Sequence, residues 1–108
     1  MSVSLSLSGQ TALITGAATG IGRAIALTLS QAGARVVINH LNQPQDAATL
    51  VQAIKGAGGH AVAINADVSD SAAVQRLVEE ALHTMGDLHI LVNNAGIIQE
   101  KPFLDTSE

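Results

Sequence analysis

The segment Thr15-Gly16-Ala17-Ala18-Thr19-Gly20-Ile21-Gly22 carries the clearest chemical signal in the chain. It lies between a short apolar run and a helical pattern, the place where a dinucleotide pyrophosphate binds in βαβ folds. Gly16 lets the backbone leave a strand in a sharp turn. Gly20 has no Cβ, so backbone can approach a phosphate closely. Gly22 lets the following helix pack tightly on the sheet. Unsatisfied N–H groups at the helix start then face the anion, aided by the helix dipole, and Thr19 adds a hydroxyl donor. The rival phosphate loop, G-x-x-x-x-G-K-[ST], does not fit. Ile21 stands where its second glycine belongs, and no Lys precedes Lys55.

Two further groups follow apolar runs. Asp67-Val68 comes after the third run, and Asn93-Asn94-Ala95-Gly96 after the fourth. Asp67 can serve a ligand at a strand's C-terminal edge or cap the next helix. Asn93 and Asn94 can line a ligand or tie the fourth strand to its neighbours, and for Asn93 the structural role is favoured. His40, His60, His83 and His89 fall on different elements with no i, i+4 pair, so no metal site is expected. Glu79 and Glu80 face away from an apolar stripe and read as solvated surface. No G-x-S-x-G elbow occurs. The chain holds no Tyr, no Trp and no Cys, so it has no catalytic phenol and no thiolate.

These residues need elements to position them. Four short apolar runs are Thr11–Thr15, Arg35–Asn39, Ala61–Ile64 and Leu88–Val92. They are apolar on successive positions, as strands buried on both faces of a parallel sheet read. Between them the period changes to that of a helix. Ile21, Ala24, Ile25, Thr28, Leu29 and Ala32 form one stripe; Ala47, Leu50, Val51 and Ile54 a second; Val74, Leu77, Val78, Ala81, Leu82 and Met85 a third. Gly33, Gly56 and Gly86 stand where left-handed residues would end these helices, and Ser69 or Asp70 can cap the third. The order is β-α-β-α-β-α-β. Right-handed crossovers then give an open parallel sheet with helices on both faces. Residues 10–96 contain no linker or repeat, and Asp105-Thr106-Ser107-Glu108 resembles the opening of another helix. The expectation is a truncated chain.

Composition narrows the function classes. The chain has 108 residues, 47% hydrophobic and 13% charged, which suits one domain with a real core and not a disordered tail. Net charge is −4 with five Lys+Arg, so there is no basic stripe for nucleic acid. A single Phe103 offers no base-stacking platform. No stretch reaches the roughly 18 apolar residues of a membrane helix. Met1–Ser8 lacks the basic start and apolar run of a secretory signal. A cytoplasmic protein, without membrane or nucleic-acid partners, is expected.

T-G-x-x-x-G-x-G at the first strand, Asp67-Val68 after the third and N-N-A-G after the fourth resemble the short-chain dehydrogenase/reductase family. The resemblance covers about residues 7–108, the cofactor-binding half of that family's fold. It implies a Rossmann-type α/β sheet, strand order 3-2-1-4, truncated, with its core at about residues 10–96. By this resemblance Gly16, Thr19, Gly20, Ile21 and Gly22 cradle the pyrophosphate. Asp67 accepts from the adenine amino group, and the Val68 backbone meets the ring. Asn94, Ala95 and Gly96 line the ribose and nicotinamide side. The specificity position, where an acid selects NAD through the ribose 2′-OH, holds His40. With no acid to repel a 2′-phosphate, and no Arg or Lys to bind one beyond Arg23 inside the first helix, the cofactor is NADP or NAD with a slight lean to NADP.

The resemblance further implies hydride transfer between nicotinamide and a small-molecule carbonyl or alcohol, in a homo-oligomer when complete. The family's catalytic Tyr, Lys, Ser and relay Asn have no match in this chain, so none of its residues is expected to be catalytic. Two readings follow. One is the N-terminal part of an NAD(P)-dependent oxidoreductase, inactive by itself. The other is a stand-alone nucleotide-binding module. Sequencing the gene past the Glu108 codon separates them.

Overall fold

The computed structural model describes residues 6–95. Gly96 and the acidic tail named above lie outside the described residues. The elements are β1 (Thr11–Ile14), α1 (Gly20–Gln31), β2 (Arg35–His40), α2 (Pro44–Gly56), β3 (Ala61–Asn65), α3 (Ser71–Met85) and β4 (Ile90–Val92). All four strands are parallel, in the order β3-β2-β1-β4. Leu13 pairs with Val37 on one side and Leu91 on the other.

Alternation along the strands sorts the apolar residues into two cores. Ala12, Ile14, Val36 and Ile38 face α1 and α2, where Ala26, Leu50 and Ile54 meet them. Leu13, Val37 and Ile64 face Leu77 and Ala81 of α3. That is the result of right-handed crossovers. The chain steps outward from β1 to β3 under two helices, then returns past β1 under the third. Val36, Val37 and Ile38 are fully buried. Each contributes about 1.5–3 kcal/mol relative to an exposed side chain.

Several ends differ from the sequence expectation. Gly56 is the last residue of α2 and not the left-handed stop; that role falls to Gly58, at φ +92°. Of the two expected caps for α3, Asp70 takes the role, accepting from the Ala72 N–H at 3.0 Å. The fourth strand begins at Ile90 instead of Leu88. The His89 imidazole explains the shortening: its Nδ1 accepts the Thr11 N–H at 3.0 Å, so a side chain takes a donor the ladder would otherwise use. Beside it Asp87 Oδ1 accepts from Thr11 Oγ1 at 2.7 Å and Arg35 Nη2 at 2.8 Å, joining β1, β2 and the approach to β4.

Among the described residues β4 pairs only with β1, and Leu91 on it is 61% exposed. An apolar, uncharged edge invites pairing with another chain. Residues 1–108 expressed alone are therefore expected to self-associate at tens of micromolar in sedimentation, and Leu91→Lys to shift them toward monomer. A native chain that sediments as a single monomeric species would refute this.

Candidate functional site

The C-terminal ends of all four strands open on one side of the sheet. The chain segments that follow them, Thr15–Gly22, Leu41–Gln43, Ala66–Asp70 and Asn93–Ala95, all emerge along that edge. The Thr15 N–H donates to Val92 O at 3.0 Å, and the Ala95 N–H donates to Thr15 Oγ1 at 3.0 Å. These two bonds join the glycine loop to the end of β4.

Gly16 and Gly20 both have φ +60°, the left-handed region that side chains disfavour. At Gly20 nothing lies within 4 Å of a built Cβ, so conformation alone demands glycine there and the space above it is open. Gly22 is the opposite case. A Cβ on it would stand 2.5 Å from Asn94 Nδ2 and 2.9 Å from the Ala17 Cα, and would also overlap the Gly16 carbonyl. Gly22 is expected from its spacing to let the helix pack on the sheet. The structure shows a narrower cause: the first turn of α1 lies against the loop and the Asn94 amide.

Thr19 is the N-cap of α1 in extended conformation, and its hydroxyl makes no cap bond. The Arg23 N–H closes the first turn on Thr19 O at 3.2 Å. The N–H groups before it have no partner within the helix, as at any helix start. Ile21 is 54% exposed at the mouth of this turn.

Asn94 is 4% exposed, and its Nδ2 donates to Gly16 O at 2.9 Å. Its Oδ1 is buried without a hydrogen-bond partner among the described residues. The side chain thus lies behind the glycine loop. Ala95, beside it, is exposed. Asn93 is exposed, and Thr15 Oγ1 donates to its Oδ1 at 3.3 Å.

Asp67 is exposed at the end of β3. Its Oδ1 accepts from Ser69 Oγ at 2.6 Å and from the Ser69 N–H at 3.0 Å. The hydroxyl first, and then the N–H, hold this carboxyl below its ordinary value, so it stays ionised through mildly acid pH. Asp67 therefore organises the turn before α3 without capping the helix, and Oδ2 is left as an acceptor. A cavity of about 290 Å³ opens beside it, lined by Ala66, Asp67, Asp70, Ala73, Arg76 and Leu77. Val68 packs on the α3-side core.

His40 is buried at the end of β2, with Nδ1 accepting the Gln43 N–H at 3.0 Å. The neutral ring then carries its proton on Nε2, so the remaining polar atom is a donor. Asn42, at φ +56°, and Asn65 exchange two hydrogen bonds at 2.9 and 3.3 Å across the ends of β2 and β3. Arg23 is partly buried on α1. Among the described residues no group of three His, Cys, Asp or Glu is placed to hold a metal ion. No described helix is long and apolar enough to cross a membrane.

Sequence reasoning missed Asn39. It is 2% exposed, and its Oδ1 accepts the Gly16 N–H at 3.1 Å. Its signal was present: a lone amide closing an otherwise apolar buried run, Val36-Val37-Ile38-Asn39.

A parallel sheet with a glycine loop and a helix N-terminus at its C-terminal edge is a Rossmann-type α/β architecture. The family model of the short chain dehydrogenases matches residues 10–108, and the chain belongs to that family. It is 44% identical over 95 residues to the trihydroxynaphthalene reductase of Pestalotiopsis fici, covering 88% of this chain and 34% of the relative. A dehydrogenase/reductase from Sinorhizobium meliloti superposes with a TM-score of 0.85 at 43% identity, over 96% of this chain and 41% of that one. A blue fluorescent protein from a metagenomic library, solved in complex with NADPH, gives a TM-score of 0.82 at 36% identity, over 94% and 42%. The chain thus spans well under half the length of these relatives.

Proposed function

We propose that this chain is the cofactor-binding part of an NAD(P)-dependent cytoplasmic oxidoreductase acting on a carbonyl or alcohol. The observation that carries the reading is the cradle formed by Gly16, Gly20 and Gly22. Gly16 is held through Asn39 and Asn94, Gly20 leaves open space, and Gly22 tolerates no side chain. Such a cradle suits a pyrophosphate, because backbone N–H groups reach an anion only where no Cβ intervenes. The Thr19 hydroxyl, unused by the helix, adds a donor. Asp67 Oδ2 supplies the acceptor an adenine amino group needs. When bound, the nicotinamide gives or takes the hydride. The chain's residues hold and orient the dinucleotide, and the resemblance assigns the proton to a Tyr that these 108 residues do not contain. Titrating the chain with NADPH and NADH, following fluorescence of the reduced cofactor, tests the proposal. Saturable binding supports it, and none would overturn it.

NADP(H) is the proposed preference, because of His40. An NAD-selecting residue accepts from the ribose 2′-OH, whereas His40 spends its acceptor on Gln43 and keeps only a donor. NADPH should bind at least as tightly as NADH. His40→Asp should move the ratio toward NADH by about tenfold, since a carboxylate accepts from the 2′-OH and repels a 2′-phosphate. A strong native preference for NADH would contradict this.

A further inference from the structure

We infer that Asn39 is a positioning residue that locks the pyrophosphate loop and the adenine-side acid into one register. The inference rests on the dinucleotide reading above. Asn39 is the penultimate residue of β2, between the two segments that such a ligand would bridge. Toward β1 it accepts twice: its Oδ1 takes the Gly16 N–H at 3.1 Å, and its backbone carbonyl takes the Ala17 N–H at 2.8 Å. Toward β3 its Nδ2 donates to Ala66 O at 3.1 Å and Ile64 O at 3.4 Å, and within β2 to His40 O at 3.4 Å. Ala66 immediately precedes Asp67, and the Ala66 N–H donates to His40 O at 2.9 Å. One buried amide thus fixes the left-handed Gly16 turn on one side and the base of the Asp67 turn on the other.

The chemistry requires an amide. The side chain must accept from an N–H and donate to a carbonyl at the same time, from a site that is 2% exposed. Asp keeps the shape and the acceptor, but loses the donor and sets a second oxygen against the Ala66 carbonyl. Ala loses both bonds and leaves the Gly16 N–H and Ala66 O to find new partners. Asn39 is buried with both ends of its amide engaged by the protein, so any effect of these changes on binding travels through the loops.

The test uses NADPH fluorescence and thermal melting on the 108-residue chain. The variants are Asn39→Ala, Asn39→Asp, Asp67→Ala and the double variant Asn39→Ala/Asp67→Ala, with Val37→Ala as control. Val37 is fully buried on the same strand and serves only the core. Asn39→Ala and Asn39→Asp are expected to weaken NADPH binding about tenfold each, measured well below their melting temperatures. Val37→Ala should lower the melting temperature and leave affinity within about twofold. The discriminating result is non-additivity. Once Asn39 is gone, Asp67 is no longer held in place, so removing it should cost much less than it does in the native chain. Additive losses, or Asn39 variants that melt early yet bind NADPH as native, would overturn the positioning role while leaving the dinucleotide reading intact. A native chain that binds no NADPH would overturn that reading and this inference with it.

Discussion

The 108-residue chain should show no dehydrogenase turnover with any ketone, aldehyde or alcohol, even where it binds the cofactor. Hydride transfer to a carbonyl leaves an alkoxide, and the reverse reaction must create one. A positioned acid or base typically contributes about 10²–10⁴-fold to such a step. Ordered placement of the substrate contributes more. The chain has no Tyr, and its only lysines are Lys55 and Lys101. Lys55 is exposed in the last turn of α2, the end of that helix away from the glycine cradle. Incubating purified chain with NADPH or NADH and a panel of carbonyl compounds, while following loss of the reduced cofactor, tests the expectation. Turnover above a no-protein control that survives repurification and disappears in Gly16→Val would defeat it.

Gly22→Ala should damage both stability and binding. The added methyl would overlap the Gly16 carbonyl and crowd the Asn94 amide. Those atoms belong to a strand-end loop and a buried side chain, so relief means moving the first turn of α1 or breaking the Asn94–Gly16 bond. Overpacking of this kind costs about 1–3 kcal/mol. In a domain of this size each 1 kcal/mol lowers the melting temperature by about 4–8 °C. NADPH affinity should fall at least about tenfold, because the cradle shifts with the helix. Gly56→Ala is the contrasting control. Gly56 ends α2, is exposed, and has nothing within 4 Å of a built Cβ. That change should be neutral or stabilising by up to about 1 kcal/mol. Equal melting temperatures for Gly22→Ala and the native chain would refute the steric account.

Much of this architecture is legible before any coordinates. Val36, Val37 and Ile38 are apolar in succession because their strand is covered on both faces, and that reads directly as an interior parallel strand. Handedness limits the parallel sheet to right-handed crossovers, and the family resemblance implies which of the permitted orders, 3-2-1-4, the strands take. The glycine loop announces itself by spacing. What stays hidden is which atoms the polar residues touch. Asn39 looks like the polar end of an apolar run, yet it faces inward and holds two loops. His40 stands at the position of an acid, but a local bond to Gln43 decides which of its nitrogens remains available. Asp67 and Asp70 are equivalent as candidate caps in sequence; only the Ser69 turn separates their roles. Leu88 and His89 fit a strand by composition, and a side-chain nitrogen in place of a carbonyl ends the ladder before them. In each case the pattern of residue types sets the element, while a particular hydrogen bond sets the detail: a local one for His40, Asp67 and Asp70, and one between residues distant in sequence for Asn39 and His89.

The most direct test of the dinucleotide site is a calorimetric titration of NADPH into the native chain, Gly22→Ala and Gly20→Val, with circular dichroism on each. Gly20→Val places a side chain at φ +60° in the open mouth of the cradle, where nothing lies within 4 Å of its Cβ. It therefore keeps the test informative if Gly22→Ala folds poorly. The account predicts saturable one-to-one binding to the native chain and loss of that binding in folded Gly20→Val. A folded native chain that takes up no NADPH, or a Gly20→Val variant that binds it unchanged, would contradict it.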